Sequence, residues 1–312
     1  MRSLCGTYLP VHAMGRLKGK TPCATITHGS GPPESVAIAC RGTGIGDTVH
    51  EMPALWQKKQ EGCDITYIAP RNRRLLIESL GIRFMPLDTA GAGWEERNKG
   101  HYGKIYSTFA WCLIPHIAPY TPAKIRFAQF ADCIETTLPE RFSWDCLRSA
   151  QEKITPSEIL FAPFSYNNLR MLNRWHSIAR ELQTIAPVTV IGTDKRFVEK
   201  FGIVRARNTR ELIGYVERAK LVLAVDNGVL ALALALRKPT IGIFGPTDPA
   251  LVFHQFGKYH EIHGVAVQPT KGSYRMDCRL PCNFQSNHGW NINARCSIFA
   301  DCMLSYTIQD SV

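Results

Sequence analysis

A doubly wound α/β protein built from two Rossmann-like domains is what this sequence predicts, on three observations. Leu221–Pro249 reads as an apolar strand, a polar break at Asp226-Asn227-Gly228, an all-apolar helix and a second strand. That is the β-loop-α-β unit of a buried parallel sheet. Residues 36–85 alternate strand and helix in βαβαβ order, which also requires a parallel sheet. A second alternating half begins at Glu158, and a chain of 312 residues has the length of two domains with a cleft between them.

Residues 1–34 are rich in Gly, Pro, Thr and Lys and show no period, so they read as a flexible basic arm. The N-terminal domain, 35–150, opens with the short apolar strand Val36–Cys40. A glycine loop with Gly42, Gly44 and Gly46 comes next, then a helix to about Gln60. Asp64–Ala69 is the next strand, Arg73–Leu80 a helix ended by Gly81, and Arg83–Met85 a third strand. Ala90–Gly103 is a charged, Gly-rich loop. Ile105–Pro122 collects apolar and aromatic residues around two prolines, as a cleft wall or as ordinary core. Lys124–Cys133 reads as a helix, and Leu138–Ser157, with Pro139 and Pro156, as the linker.

The C-terminal domain, 151–312, starts with strand Ile159–Ala162 and the polar loop Pro163–Asn168. The amphipathic helix Leu172–Thr184 and strand Val188–Ile191 lead to Gly192-Thr193-Asp194, helix Lys195–Phe201 and strand Ile203–Arg205. Asn208 or Thr209 caps the next helix, with Glu211 in its first turn. Strand Leu221–Val225 and helix Val229–Leu236 come after it. Pro239 stops that helix, and strand Thr240–Phe244 is closed by Gly245-Pro246.

Thirty-seven basic against 26 acidic residues, a formal charge of +11, call for an anionic partner: a phosphorylated small molecule, a nucleic acid or an anionic membrane. Asp226 and Asn227 interrupt the best apolar window, so no membrane span is predicted. The N-terminus lacks the apolar core of a signal peptide, and the reading is cytoplasmic. Eleven dispersed cysteines, an odd number, do not look like a secreted disulfide framework. Cys278, Cys282, Cys296 and Cys302 could hold a tetrahedral zinc or be structural thiols, and their spacing leaves both open.

The glycines at 42, 44 and 46 let the backbone turn sharply before a helix whose start favours anions. The run Gly44-Ile45-Gly46-Asp47-Thr48-Val49-His50, with Pro53-Ala54-Leu55, resembles the N-terminal signature of the heptosyltransferase-like glycosyltransferases, family nine. Asp226-Asn227-Gly228, Lys238-Pro239-Thr240 and Phe244-Gly245-Pro246-Thr247-Asp248-Pro249 resemble the C-terminal one. The resemblance implies a GT-B architecture, two Rossmann-like domains with parallel sheets facing across a cleft. It implies inverting transfer of a sugar from a nucleotide-sugar to a hydroxyl, with no required cofactor or metal.

Asp47 would then be the general base that deprotonates the acceptor, its plain alternative being a helix cap; Glu51, one turn on, is a reserve acid. Ser165, Arg170, Arg174, Asp194, Asp226, Asn227 and Gly228 are the donor-binding candidates. In three places the sequence departs from the pattern: Asn227 stands where the family has Thr, Ala231 where it has His, and the acid expected after the Gly192 strand is out of register, with Asp194 nearby. The acceptor implied is a surface glycan or lipid-linked saccharide, reached by peripheral membrane contact. A modified DNA base is the alternative, suggested by Lys58, Lys59, Arg71, Arg73, Arg74, Arg97 and Lys99 in the acceptor half. A non-catalytic nucleotide-sugar-binding protein is a further alternative, and an epimerase of the same architecture a fourth.

Overall fold

The computed structural model describes residues 24–41, 44–91, 93–109, 126–148, 154, 156–165, 172, 175–192, 203–244 and 249–267. The N-terminal sheet contains β1 (Ala24–His28), β2 (Ser35–Arg41), β3 (Asp64–Ala69), β4 (Arg83–Pro86) and β5 (Lys104–Phe109), in the order β1-β5-β2-β3-β4. Helix α1 (Ile45–Gln60) connects β2 to β3, and α2 (Arg74–Glu78) connects β3 to β4. The short helix α3 (Leu87–Ala90) follows β4, and α4 (Trp94–Asn98) lies in the segment read as a loop. Helix α5 (Arg126–Cys133) completes this half.

In this half, two strands differ from the sequence reading. Ala24–His28 is not part of a free arm: it pairs antiparallel with β5 and forms the one antiparallel edge among the described strands. Its apolar residue Ile26 stays 36% exposed, so no buried period marked it. Lys104–Phe109, read as cleft wall or core, is a central strand paired to β2, with Ile105 and Tyr106 fully buried.

In the second half, β6 (Ile159–Ala162), β7 (Val188–Val190), β8 (Leu221–Val225), β9 (Thr240–Ile243) and β10 (Gly264–Val267) form an all-parallel sheet in the order β10-β9-β8-β6-β7. Helices α6 (Trp175–Ile185), α7 (Thr209–Arg218), α8 (Gly228–Ala235) and α9 (Ala250–Gly257) supply the crossovers. The strand expected at Ile203–Arg205 shrinks to a single bridge between Ile191 and Val204. The helix expected at 195–201 lies outside the described residues.

Helix α8, GVLALALA, is apolar on every side because it is buried on every side: Leu230 through Ala235 are at most 4% exposed. Beyond its end, Arg237 turns into the left-handed region at φ 58°. One apolar core runs through both domains, from α1 and α5 to α8 and α9. At its centre, Phe127, Phe142 and Trp144 from the first half interlock with Phe256, Tyr259 and His260 from the second, with ring centroids 4.8–6.5 Å apart.

Pro53 sits inside α1 and has no N–H to offer the carbonyl of Val49 one turn back. The Trp144 indole N–H donates to that carbonyl instead, at 3.2 Å. The aromatic block thus repairs the helix that carries the glycine loop.

Candidate functional site

Both halves present a loop-to-helix junction at the carboxyl edge of a central strand, where open α/β sheets bind ligands. In the first, Gly44 is the extended N-cap of α1, and its N–H donates to the Asp47 carboxylate at 2.6 Å. Asp47 is half-buried. It therefore caps the helix, and one carboxylate can do so while still facing a ligand.

Behind it lies a buried polar cluster. Glu51 is fully buried and accepts the Tyr67 hydroxyl, so the reserve acid of the sequence reading is a structural acceptor without access to a substrate. Burial above all, then the neighbouring Cys40 and Glu51, pushes the Tyr67 hydroxyl well above its ordinary value. Arg73, 5% exposed, supplies the cluster's cation. Burial lowers its hold on its proton, while Tyr67, Asp47 and Glu51 act in the opposite direction. The sequence grouped Arg73 with exposed basic residues, and only the 3₁₀ turn at Arg71–Arg73 shows that it points inward.

The members of that basic group have partners within the domain. Lys58 is buried and donates to the Glu135 carbonyl, and Lys59 donates to the carbonyls of Leu80 and Gly81. Arg71 pairs with Asp88, Arg74 with Glu78 and Lys99 with Glu96, while Arg97 donates to the Ala90 carbonyl.

In the second half, Asn227 is the N-cap of α8. Its side-chain oxygen accepts from the amides of Val229 (2.9 Å) and Leu230 (3.0 Å). Its side-chain nitrogen donates to the carbonyls of Ala162 (3.1 Å) and Phe164 (2.8 Å) at the end of β6. Ser165, half-buried, directly follows Phe164 in the chain. A threonine could accept at the cap but could not supply two N–H groups to β6, which gives the departure at 227 a physical reason. The amides of Val229 and Leu230 are engaged by this cap, leaving the positive end of the α8 dipole. Asp226 is buried at 5% exposure, under the loop.

The two junctions meet. A Cβ built on Gly46 would lie 3.1 Å from the Gly228 Cα and 3.5 Å from the Ala231 Cβ. Gly44, Gly46, Asp47, Ser165, Asp226, Asn227 and Gly228 are thus all described, and Gly46, Asn227 and Gly228 come together. Gly42, Arg170, Arg174, Asp194 and the four tail cysteines lie outside the described residues. Among the described residues no group of three His, Cys, Asp or Glu side chains could hold a metal ion. No described helix is long and apolar enough to cross a membrane.

Two Rossmann-like domains facing each other through their glycine-bearing ligand edges define the GT-B class of glycosyltransferase folds. Comparison with known proteins agrees. The model of glycosyltransferase family 9 (heptosyltransferase) matches residues 202–280, which include the Asn227 loop. Lipopolysaccharide heptosyltransferase 1 of Escherichia coli O18:K1:H7 is 35% identical over 92 residues, a segment covering 28% of this chain and 23% of that relative. The chain thus matches about a quarter of that curated relative. Among solved structures, the E. coli heptosyltransferase WaaC with ADP-2-deoxy-2-fluoro heptose superposes at TM-score 0.50 and 14% identity, over 80% of this chain and 94% of that one. The iron-containing dodecameric glycosyltransferase TibC from enterotoxigenic E. coli H10407 reaches 0.52 at 17% identity, over 77% and 65%. The chain thus has the GT-B fold, and its C-terminal part resembles glycosyltransferase family 9.

Proposed function

We propose that this chain is an inverting glycosyltransferase that moves a sugar from a nucleotide-sugar, of the ADP-heptose kind bound by WaaC, to a hydroxyl of a lipopolysaccharide-type acceptor at the cytoplasmic face of the membrane. The observation that carries it is the convergence of the Asp47 end of α1 on the Asn227-Gly228 end of α8. An acid and a dipole's positive pole then flank one position, as displacement of a nucleotide diphosphate requires.

In this reading the Asp47 carboxylate takes the proton of the acceptor hydroxyl. The freed oxygen attacks the anomeric carbon from the face opposite the diphosphate, and the bond to the diphosphate oxygen breaks. The leaving group takes that electron pair, and the N-terminus of α8, with cations outside the described residues such as Arg170 and Arg174, offsets its charge. This supply of positive charge is what supports a reaction without a required metal. The iron of TibC belongs to that protein.

The test is Asp47→Asn. The amide oxygen still accepts from the Gly44 N–H, so the cap and the fold persist, but no proton can be taken. Donor binding, read as the thermal shift given by a panel of nucleotide-sugars, should be unchanged, while turnover falls by about 10²- to 10⁴-fold. Turnover within a few-fold of the parent would remove Asp47 from the base role. Donor binding with neither transfer nor hydrolysis in the parent itself would leave a nucleotide-sugar-binding protein.

A further inference from the structure

The contact between α1 and α8 leaves no room for a Cβ at its centre, and three small residues permit it. Gly46 faces the Gly228 Cα at 3.1 Å from a built Cβ, and a Cβ on Gly228 would lie 3.1 Å from the Gly46 nitrogen and 3.3 Å from the Ile45 Cβ. Neither glycine has a positive φ, so glycine serves here for space and not for conformation. Ala231 lies one turn along α8 on the same side, 2% exposed, and completes the contact.

On either side, ties of other kinds cross the same boundary. The Phe127 amide donates to the Gln255 side chain at 3.2 Å, the Arg148 guanidinium to the Leu236 carbonyl at 3.0 Å, and the Thr209 hydroxyl to the Asn72 carbonyl. The aromatic block lies within the same continuous core. The boundary is thus packed as an interior and tied by hydrogen bonds on either side.

We propose that Ala231 is a positioning residue which, with Gly46 and Gly228, sets a fixed closed spacing between the two ligand-bearing loops, so that the chain works as one pre-closed body. A histidine at 231 would need the room that α1 occupies. It would act as a wedge, moving the Asp47 end of α1 away from the Asn227 loop. The consequence for transfer rests on the proposed function; the spacing itself does not.

The test measures distance and needs no ligand. Nitroxides are placed on the full chain through ketone-bearing residues at exposed Glu78 and Ile185, because eleven cysteines preclude thiol labelling. Pulsed electron resonance should show one narrow distance distribution in the parent and in Ala231→Ser. Ala231→His should lengthen or broaden it by several ångströms. A broad distribution in the parent, or a parent-like distance in a folded Ala231→His, overturns the proposal. If Ala231→His fails to fold by circular dichroism, Gly46→Ala takes its place: its methyl has to displace backbone by a few tenths of an ångström. Parent-like distance and stability in Gly46→Ala would overturn the proposal too. Loss of turnover in Asp47→Asn leaves these distances untouched, so the two readings fail separately.

Discussion

The bond between Trp144 and the Val49 carbonyl allows a quantitative test of how the aromatic block supports α1. Trp144→Phe keeps an aromatic ring opposite Phe142, whose centroid is 4.8 Å away, but removes the indole donor that fills the gap left by Pro53. A buried carbonyl left without its partner costs about 1–3 kcal/mol. The smaller ring adds a cavity term, and about 2–4 kcal/mol is expected in all. Pro53→Ala restores a main-chain N–H at the position that reaches the Val49 carbonyl along α1. In that background Trp144→Phe should therefore cost about 1–2 kcal/mol less. The assay is urea unfolding of the four proteins by far-ultraviolet circular dichroism, with equal slopes required for the comparison. One transition is expected, since the core is shared. A cycle additive to within about 0.5 kcal/mol would refute the repair of α1 by Trp144.

Arg237→Gly should stabilise the chain. A left-handed φ of 58° costs a non-glycine residue about 1 kcal/mol, against a weak exposed pairing to Asp145 at 3.8 Å; a lower melting temperature would contradict this. The His260 Nε2–H donates to the Leu234 carbonyl (2.8 Å); burial above all, with Arg237 and His263 near, lowers its proton affinity, while the Leu234 bond and Asp145 raise it. Its folded value lies below the ordinary histidine value near 6.5, so the unfolded chain takes up the proton first. Stability contributed by neutral His260 is complete above about pH 6.5 and is lost as the pH falls below it. His260→Gln should flatten the stability profile between about pH 7 and 5, and an unchanged slope would sink the assignment. Dialysis against a strong chelator should leave turnover unchanged, with metal content followed by mass spectrometry. Activity that tracks bound metal would overturn the metal-free reading and turn attention to Cys278, Cys282, Cys296 and Cys302.

Much of the scaffold was legible because its strands are buried on both faces. Ile159–Ala162 and Leu221–Val225 read as continuous apolar runs for the same reason that they lie central in a parallel sheet. Where burial was partial the signal failed, at the edge strand Ala24–His28 and at Gly264–Val267, whose Val265 is 58% exposed. The glycine loop and the Asn227 loop stood out as polar breaks at strand ends, so both sides of the candidate site could be located. What they do to each other could not be read. No local pattern says that Glu51 and Arg73 turn inward, because that depends on Tyr67 from another strand. Nor does the sequence alone explain Asn227 and Ala231, which look like losses when set against a family pattern. In the folded chain each has a partner across space: Asn227 ties α8 to the end of β6, and Ala231 makes room for Gly46. The two departures are therefore coupled to one geometry. Restoring the family residue at either position alone should disturb the joint between the loops, and should not by itself produce a better enzyme.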